Sequence, residues 1–300
     1  VRVFVTGATG FVGTAIVSEL ISTGHEVIGL SRSDAGAESL TCAGATVARG
    51  DVNDLRRLRE IASGAEAVIH TAFNHDSSAD VRQESENDRK VITALGEALP
   101  GPYAPLVITS GTGLVQSATG GPATETDSHA PSSVFPRAAS EEAAAGLLEQ
   151  GRNFMVVRLP QVHDTRRQGR ILRHIQLARQ HGSVAYIGDG TNRLPAAHVT
   201  DVARLYRLAL ENGQPGARYH AVTEQGVPLR AIAEVLSTQM RLPLHSLTPQ
   251  QAPAYFGPLL QLARLDLPAS GTRTQHQLGW NPTGPDLLTD LRNTDYTTIS

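Results

Sequence analysis

The stretch that most restricts the fold is TGATGFVG, residues 6–13, directly after the apolar run VRVFV. An apolar β-branched run, a glycine-rich turn and then the helically spaced TAIVSELIS form a strand–turn–helix unit. Gly7 permits the tight turn, Gly10 lets a ligand approach the backbone, and Gly13 lets the helix pack closely on the strand. A helix starting here has free N–H groups for an anion, with Thr9, Phe11 and Val12 completing the loop. In this context the spacing predicts a site for a dinucleotide pyrophosphate; a glycine turn without a ligand is the alternative.

Downstream, short apolar runs alternate with longer amphipathic stretches. Strands are expected at 1–5, 26–30, 46–48, 67–70, 106–109 and 155–158, with helices between them. This rhythm implies an α/β class: a doubly wound parallel-sheet Rossmann domain with ligands at the carboxyl ends of the strands. After Pro160 the pattern becomes irregular, with a basic helical stretch at 169–181, a YIGDG turn at 186–190 and a helix from near Asp201. The segment 227–300 is interrupted by prolines and suits a smaller C-terminal substrate-binding cap. The expected division is 1–160 plus 191–222 for the dinucleotide-binding domain, and 161–190 plus 223–300 for the cap. The loop 111–131 is expected to cover a site.

The formal charge of −3 gives no phosphate-backbone footprint, so neither nucleic acid nor an anionic membrane is an expected partner. Apolar runs fall short of the roughly 18 residues of a spanning helix, and the opening VRVFV does not read as a signal peptide. Cys42 is the sole cysteine, which excludes an internal disulfide and a cysteine-ligated metal cluster; no metal is expected, and a cytoplasmic location is. Lys90 is the sole lysine.

At the end of the second strand, LSRS (30–33) has no carboxylate to hold a ribose 2′-hydroxyl. Arg32 with Ser31 or Ser33 suits a 2′-phosphate, so NADP is the expected cofactor; Asp34 reaching a ribose, as in NAD, is the alternative. Asp51 and Val52, past the third strand, are placed for the adenine, with Asn53 as the cap of the next helix; Asp51 as that cap is the alternative. Thr71, Ala72 and Phe73 would line the ribose side after the fourth strand.

TGATGFVG, GDVND, AVIHTA, LVITSGTG, VVRLPQVHD, AAHVTDVARLYRLAL and QLGWNPTG occur in that order along nearly the whole chain. Together they resemble the extended short-chain dehydrogenase/reductase superfamily, the NAD(P)-dependent epimerase/dehydratase group. The resemblance implies an NAD(P)-binding Rossmann domain, a smaller substrate domain, a small-molecule substrate and a homodimer built on helices near 89–99 and 136–148. It places Pro160 and Val162 at the nicotinamide. It also implies a catalytic tyrosine with a lysine four residues later, but no tyrosine here has one. Matching Ser140 to the family's serine puts Arg137 in the tyrosine's place and Glu141 in the lysine's, and Glu141 reverses the charge that would lower a phenol's pKa.

Ser110 and Thr112, after the fifth strand, are the candidates for binding a substrate carbonyl, or for capping the loop. His163 is the candidate proton donor, or a hydrogen-bonded histidine of a packed loop; His198 reads as structural. Arg137 and Arg158 either bind an acidic substrate group or pair with Glu141 or Glu142. The arginine-rich run 165–180 either lines a cleft for an anionic substrate or is a solvated helix face. The expected activity is NADP-dependent reduction of a carbonyl, imine or activated double bond, against a non-catalytic cofactor-binding sensor or a sugar-nucleotide epimerase/dehydratase.

Overall fold

A parallel seven-stranded sheet organises the chain in a computed structural model that describes residues 1–74, 80–117 and 120–299. Its first half alternates β1 (Arg2–Thr6), α1 (Phe11–Ser22), β2 (Glu26–Ser31), α2 (Asp34–Cys42), β3 (Thr46–Arg49), α3 (Leu55–Ser63) and β4 (Ala67–His70). It continues with α4 (Val81–Ala98), β5 (Leu106–Gly111), α5 (Ala139–Glu149) and β6 (Phe154–Leu159). Then come β7 (Gln161–His163), α6 (Ile171–His181), β8 (Val184–Ile187), β9 (Arg193–His198), α7 (Val199–Asn212) and β10 (Arg218–His220). The remainder is β11 (Glu224–Pro228), α8 (Leu229–Met240), β12 (Leu244–Leu247), α9 (Ala252–Phe256), α10 (Leu260–Arg264), α11 (Thr272–Leu278) and α12 (Leu287–Asn293).

The sheet order is β10-β6-β5-β4-β1-β2-β3, so the chain reverses direction between β1 and β4. Central strands are buried from end to end, as a sheet covered on both faces requires. One core packs α1 and α7 on one face, around Ile16, Leu20, Val202 and Tyr206. The other packs α3, α4 and α5 on the opposite face, around Leu58, Ile92, Leu95 and Leu147. The expected α/β doubly wound architecture is observed.

The expected strands lie within one or two residues of those observed, but β5 runs on to Gly111 and takes Ser110 into the strand. β10 was not anticipated; three residues carry no periodic signal, and pairing with β6 makes them a strand. A three-stranded sheet, β11-β9-β7, and a two-stranded one, β12-β8, occupy the region read as irregular. The YIGDG segment therefore begins inside β8, paired with β12. Of the loop 111–131, residues 118–119 lie outside the described residues. Among the described residues, no helix is long and apolar enough to cross a membrane, and no cluster of His, Cys, Asp or Glu is arranged to hold a metal ion.

Candidate functional site

The loops after β1 and β4 meet at the sheet's reversal, where doubly wound folds bind ligands. Gly7 has φ +67°, and a Cβ there would lie 2.6 Å from Thr71 Oγ1 and 2.7 Å from the Ala72 nitrogen. A Cβ on Gly13 would fall 2.0 Å from the Gly7 oxygen, so only glycine lets α1 start this close to β1. Gly10 caps α1 without any side-chain bond to the helix's first N–H groups, leaving Phe11 and Val12 at an anion-binding helix start. Thr9 lies beside α2, its methyl 3.0 Å from the position of a Cβ on Gly36.

At the tip of β2, the Ser33 side chain caps α2 by accepting the Gly36 N–H at 3.1 Å, and Ser31 donates to the Ser33 carbonyl at 3.0 Å. Arg32 is 76% exposed and 3.4 Å from Asp51. Arg49 reaches over from β3 to the Ser33 carbonyl and to Asp34, each at 2.5 Å. Two guanidiniums thus flank a serine-capped helix start. Asp51 accepts the Asn53 N–H at 2.8 Å, but the cap of α3 is Asp54, bonded to the Arg57 N–H at 3.0 Å; the expectation for Asn53 is corrected.

Two buried polar networks lie beneath the carboxyl ends of β4, β5 and β6. In the first, Thr6 Oγ1 and His70 Nδ1 are 2.6 Å apart, and His70 Nε2 is 2.8 Å from Asp88. Asp88 also pairs with Arg137 at 2.7 Å and accepts the Ser140 hydroxyl at 2.5 Å. The Arg137 guanidinium stacks 3.8 Å from the Phe73 ring centre. Burial works against the Asp88 charge, but His70, Arg137 and Ser140 win and hold its carboxyl at about 2.

In the second, Glu141 accepts Nε and Nη2 of Arg158, both at 2.8 Å, the Ser110 hydroxyl at 2.6 Å, and Nε of Arg218 at 3.1 Å. Glu141 and Arg158 are fully buried. Against its burial, the Arg158 fork and the Ser110 hydroxyl hold the Glu141 carboxyl at about 2. Arg158 is therefore a partner of Glu141, as one of its two readings had it. Thr112 begins a short 3₁₀ turn, Thr112–Leu114, and donates to the Leu159 carbonyl at 3.3 Å.

His163 is buried and bonded, which fits its reading as a hydrogen-bonded histidine of a packed loop. Its side chain is 0% exposed, with Nδ1 2.7 Å from Asp290 on α12 and its ring edge-on to His198 at 5.7 Å. Burial, opposed by the Asp290 carboxylate, lowers its pKa. His198 caps α7 through the Thr200 N–H, and Trp280 is buried with its indole N–H on the Asp201 carbonyl at 3.0 Å. Pro160 and Val162 flank the start of β7, whose Gln161 is pinned by bonds to Val162, Gln168 and Arg170.

The profile of the NAD-dependent epimerase/dehydratase family matches residues 3–222. The chain belongs to that family. It is 40% identical over 297 residues to an uncharacterized Schizosaccharomyces pombe protein, covering 98% of this chain and 99% of the relative. It is 27% identical to the decarboxylating sterol-4-alpha-carboxylate 3-dehydrogenase of Dictyostelium discoideum, over 76% of this chain and 73% of that one. The fold matches a dTDP-glucose 4,6-dehydratase from Streptomyces venezuelae, solved with NAD, with a TM-score of 0.78 at 19% identity, over 98% and 95% of the two chains.

Within this epimerase/dehydratase chain, Tyr206 is the tyrosine that contacts β5, 2.6 Å from Thr109 Oγ1. It is fully buried on α7, and burial raises its phenol far above the ordinary value. Lys90 lies exposed on α4. The sequence reading missed Asp88 and His70 as network members. Asp88 shares a helix face with the buried Ser85, Ile92 and Leu95, and that polar residue on an apolar face was the available signal.

Proposed function

We propose that the protein is an NADP-dependent oxidoreductase that reduces a carbonyl, imine or activated double bond of a small organic substrate without the usual tyrosine–lysine pair. One observation carries the reading: a cofactor cradle that only glycine can form at positions 7 and 13, beside a β2 tip that offers Ser31, Ser33 and Arg32, with Asp34 held by Arg49. A bound nicotinamide supplies the hydride; the chain's residues supply position and electrostatics. Gly10, Phe11 and Val12 receive the pyrophosphate, Thr71, Ala72 and Phe73 the ribose side, Asp51 and Val52 the adenine, and Pro160 and Val162 the nicotinamide.

In this reading Arg137, half-buried, and Glu141, fully buried, stand in the dyad's places as ion-pair partners. Ser110 gives its proton to Glu141, so with Thr112 it shapes the floor, and the substrate's proton comes from water. Losing one general acid costs about 10²–10⁴-fold in rate, which an oriented hydride transfer tolerates. A non-catalytic NADP sensor is the second reading, favoured by the same fact that both dyad positions are locked into salt bridges. A sugar-nucleotide epimerase or dehydratase is a further reading, the activity named for the Streptomyces lividans UDP-glucose 4-epimerase, 26% identical over 95% of this chain.

We also assign a homodimer in the cytoplasm, with α4 and α5 as its face, since Val81, Val134 and Leu148 lie exposed on or beside these helices. The test of function is titration with NADPH and NADH, then NADPH consumption across a panel of carbonyls, imines and enones. Tighter NADPH binding with consumption supports the reading; equal binding and no consumption contradict it.

A further inference from the structure

Arg137 links the cofactor side of the sheet's carboxyl end to its floor. Thr71 and Ala72 press on the glycine loop, 2.6 and 2.7 Å from where a Cβ on Gly7 would sit. The next residue, Phe73, lays its ring 3.8 Å from the Arg137 guanidinium carbon. Across from it, Nη2 of Arg137 donates to the Thr109 carbonyl of β5 at 3.3 Å. The cation is therefore stacked on one face and pinned along one edge, between the segment after β4 and the strand that carries Ser110.

Its remaining bonds hold it still. Nη1 donates to Asp88 at 2.7 Å and to the Ser140 hydroxyl, and Asp88 is itself bonded to His70 and Ser140. A guanidinium has five N–H protons. Those on Nη1 and one on Nη2 are engaged, while the Nε proton and the second Nη2 proton meet no acceptor among the described residues, on a side chain only 20% exposed. Arg158 differs: it is fully buried and gives its protons to Glu141, Asp127 and His220.

The hydroxyls at the end of β5 have no proton to offer a ligand. Ser110 donates to Glu141 at 2.6 Å and Thr112 to the Leu159 carbonyl at 3.3 Å. Tyr206 is sealed in the core against Thr109. An oxygen that arrives beside Phe73 and Thr109 thus finds its donor in Arg137. A permanent cation already fixed by protein needs no reorganisation when negative charge develops in front of it.

We propose that Arg137 is a catalytic residue, the cation that receives the oxygen of the reducible group. The assignment rests on the oxidoreductase reading. The hydride joins the carbonyl carbon and the π pair of the C=O bond moves onto oxygen. Arg137 holds the resulting alkoxide without giving up its own proton, and water protonates it, leaving hydroxide. This role narrows the substrate to an aldehyde, ketone or enone, because the same charge repels an iminium.

The test has a binding arm and a turnover arm. In the first, para-nitrophenol is titrated into the NADP-loaded protein at a pH where the free probe is mostly neutral, and the bound phenolate, a stand-in for the alkoxide, is read by its visible absorbance. Phenolate binding is expected, and Arg137→Met is expected to weaken it about 10-fold or more, the loss of one hydrogen bond to a charged group. In the second, NADPH consumption is followed with aldehydes, ketones, enones and cyclic imines. Arg137→Met is expected to lower kcat about 10²–10³-fold with NADPH affinity kept, as removal of an oxyanion donor does. Arg137→Lys keeps the charge without the planar fork and is expected to fall between the two.

No phenolate bound by the parent protein, unchanged phenolate affinity in Arg137→Met, or reduction of imines alone overturns the proposal. If Arg137→Met fails to hold the cofactor, Arg137→Lys decides, and parent-like phenolate affinity and kcat in it overturn the proposal. Failure of the reductase reading is told apart: unchanged kcat in the variants removes Arg137 and leaves a reductase, whereas Arg137-dependent phenolate binding without NADPH consumption leaves the oxyanion site and removes the reductase.

Discussion

At the scale of single residues, Glu141 organises the second buried network, turning inward to Arg158, Arg218 and Ser110. Glu141→Gln leaves Arg158 buried without its counter-charge, and urea unfolding is expected to show a loss of about 3–5 kcal/mol. His163→Asn is expected to lower the melting temperature and leave the pH profile of turnover unchanged, because the imidazole is sealed against Asp290 and His198. A lost pH limb with unchanged stability would restore it as proton donor. Arg32→Ala is expected to weaken NADPH about 10- to 100-fold in titrations and NADH far less, as one guanidinium–phosphate contact implies. Equal losses for the two cofactors would remove the 2′-phosphate assignment.

At the scale of elements, the β1–α1 turn is the piece most legible in the sequence. Glycine spacing is a backbone requirement, and a backbone requirement appears in local sequence. Gly13→Ala puts a methyl 2.0 Å from the Gly7 oxygen and is expected to abolish NADPH binding and cost at least about 1–3 kcal/mol of stability, measured by titration and melting. Gly10→Ala meets the same oxygen at a tight 3.2 Å, so it is expected to cost less stability than Gly13→Ala while lowering NADPH affinity. The strands of the parallel sheet were equally readable, because burial on both faces writes continuous apolar runs. Less readable were β10, too short for periodicity, and the partners of Ser110, His163 and Asp88. Those partners lie 31, 127 and 18 residues away, so no local pattern announces them. His163 resembled a catalytic group because its residue type suits proton exchange, while its burial depends on α12, near the far end of the chain.

At the scale of the whole molecule, the buried networks tie stability to pH with a definite sign. Asp88 and Glu141 titrate at about 2 in the fold, below ordinary values of 3.8 and 4.5, so the unfolded chain takes up protons first as the pH falls. Their contribution is present above about pH 4.5 and lost towards pH 2. His163, with a lowered pKa, likewise favours the fold while neutral and begins to oppose it as the pH drops below its ordinary 6.5. Melting temperatures are expected to decline gently below that value and steeply below about 4.5.

The most direct test of the whole account is transfer of deuterium from NADPH labelled at C4, on each face in turn, to a panel of carbonyl, imine and enone compounds. Label is expected in a product from one face alone, read by mass spectrometry. NADPH bound in the same samples with no label in any product would contradict it.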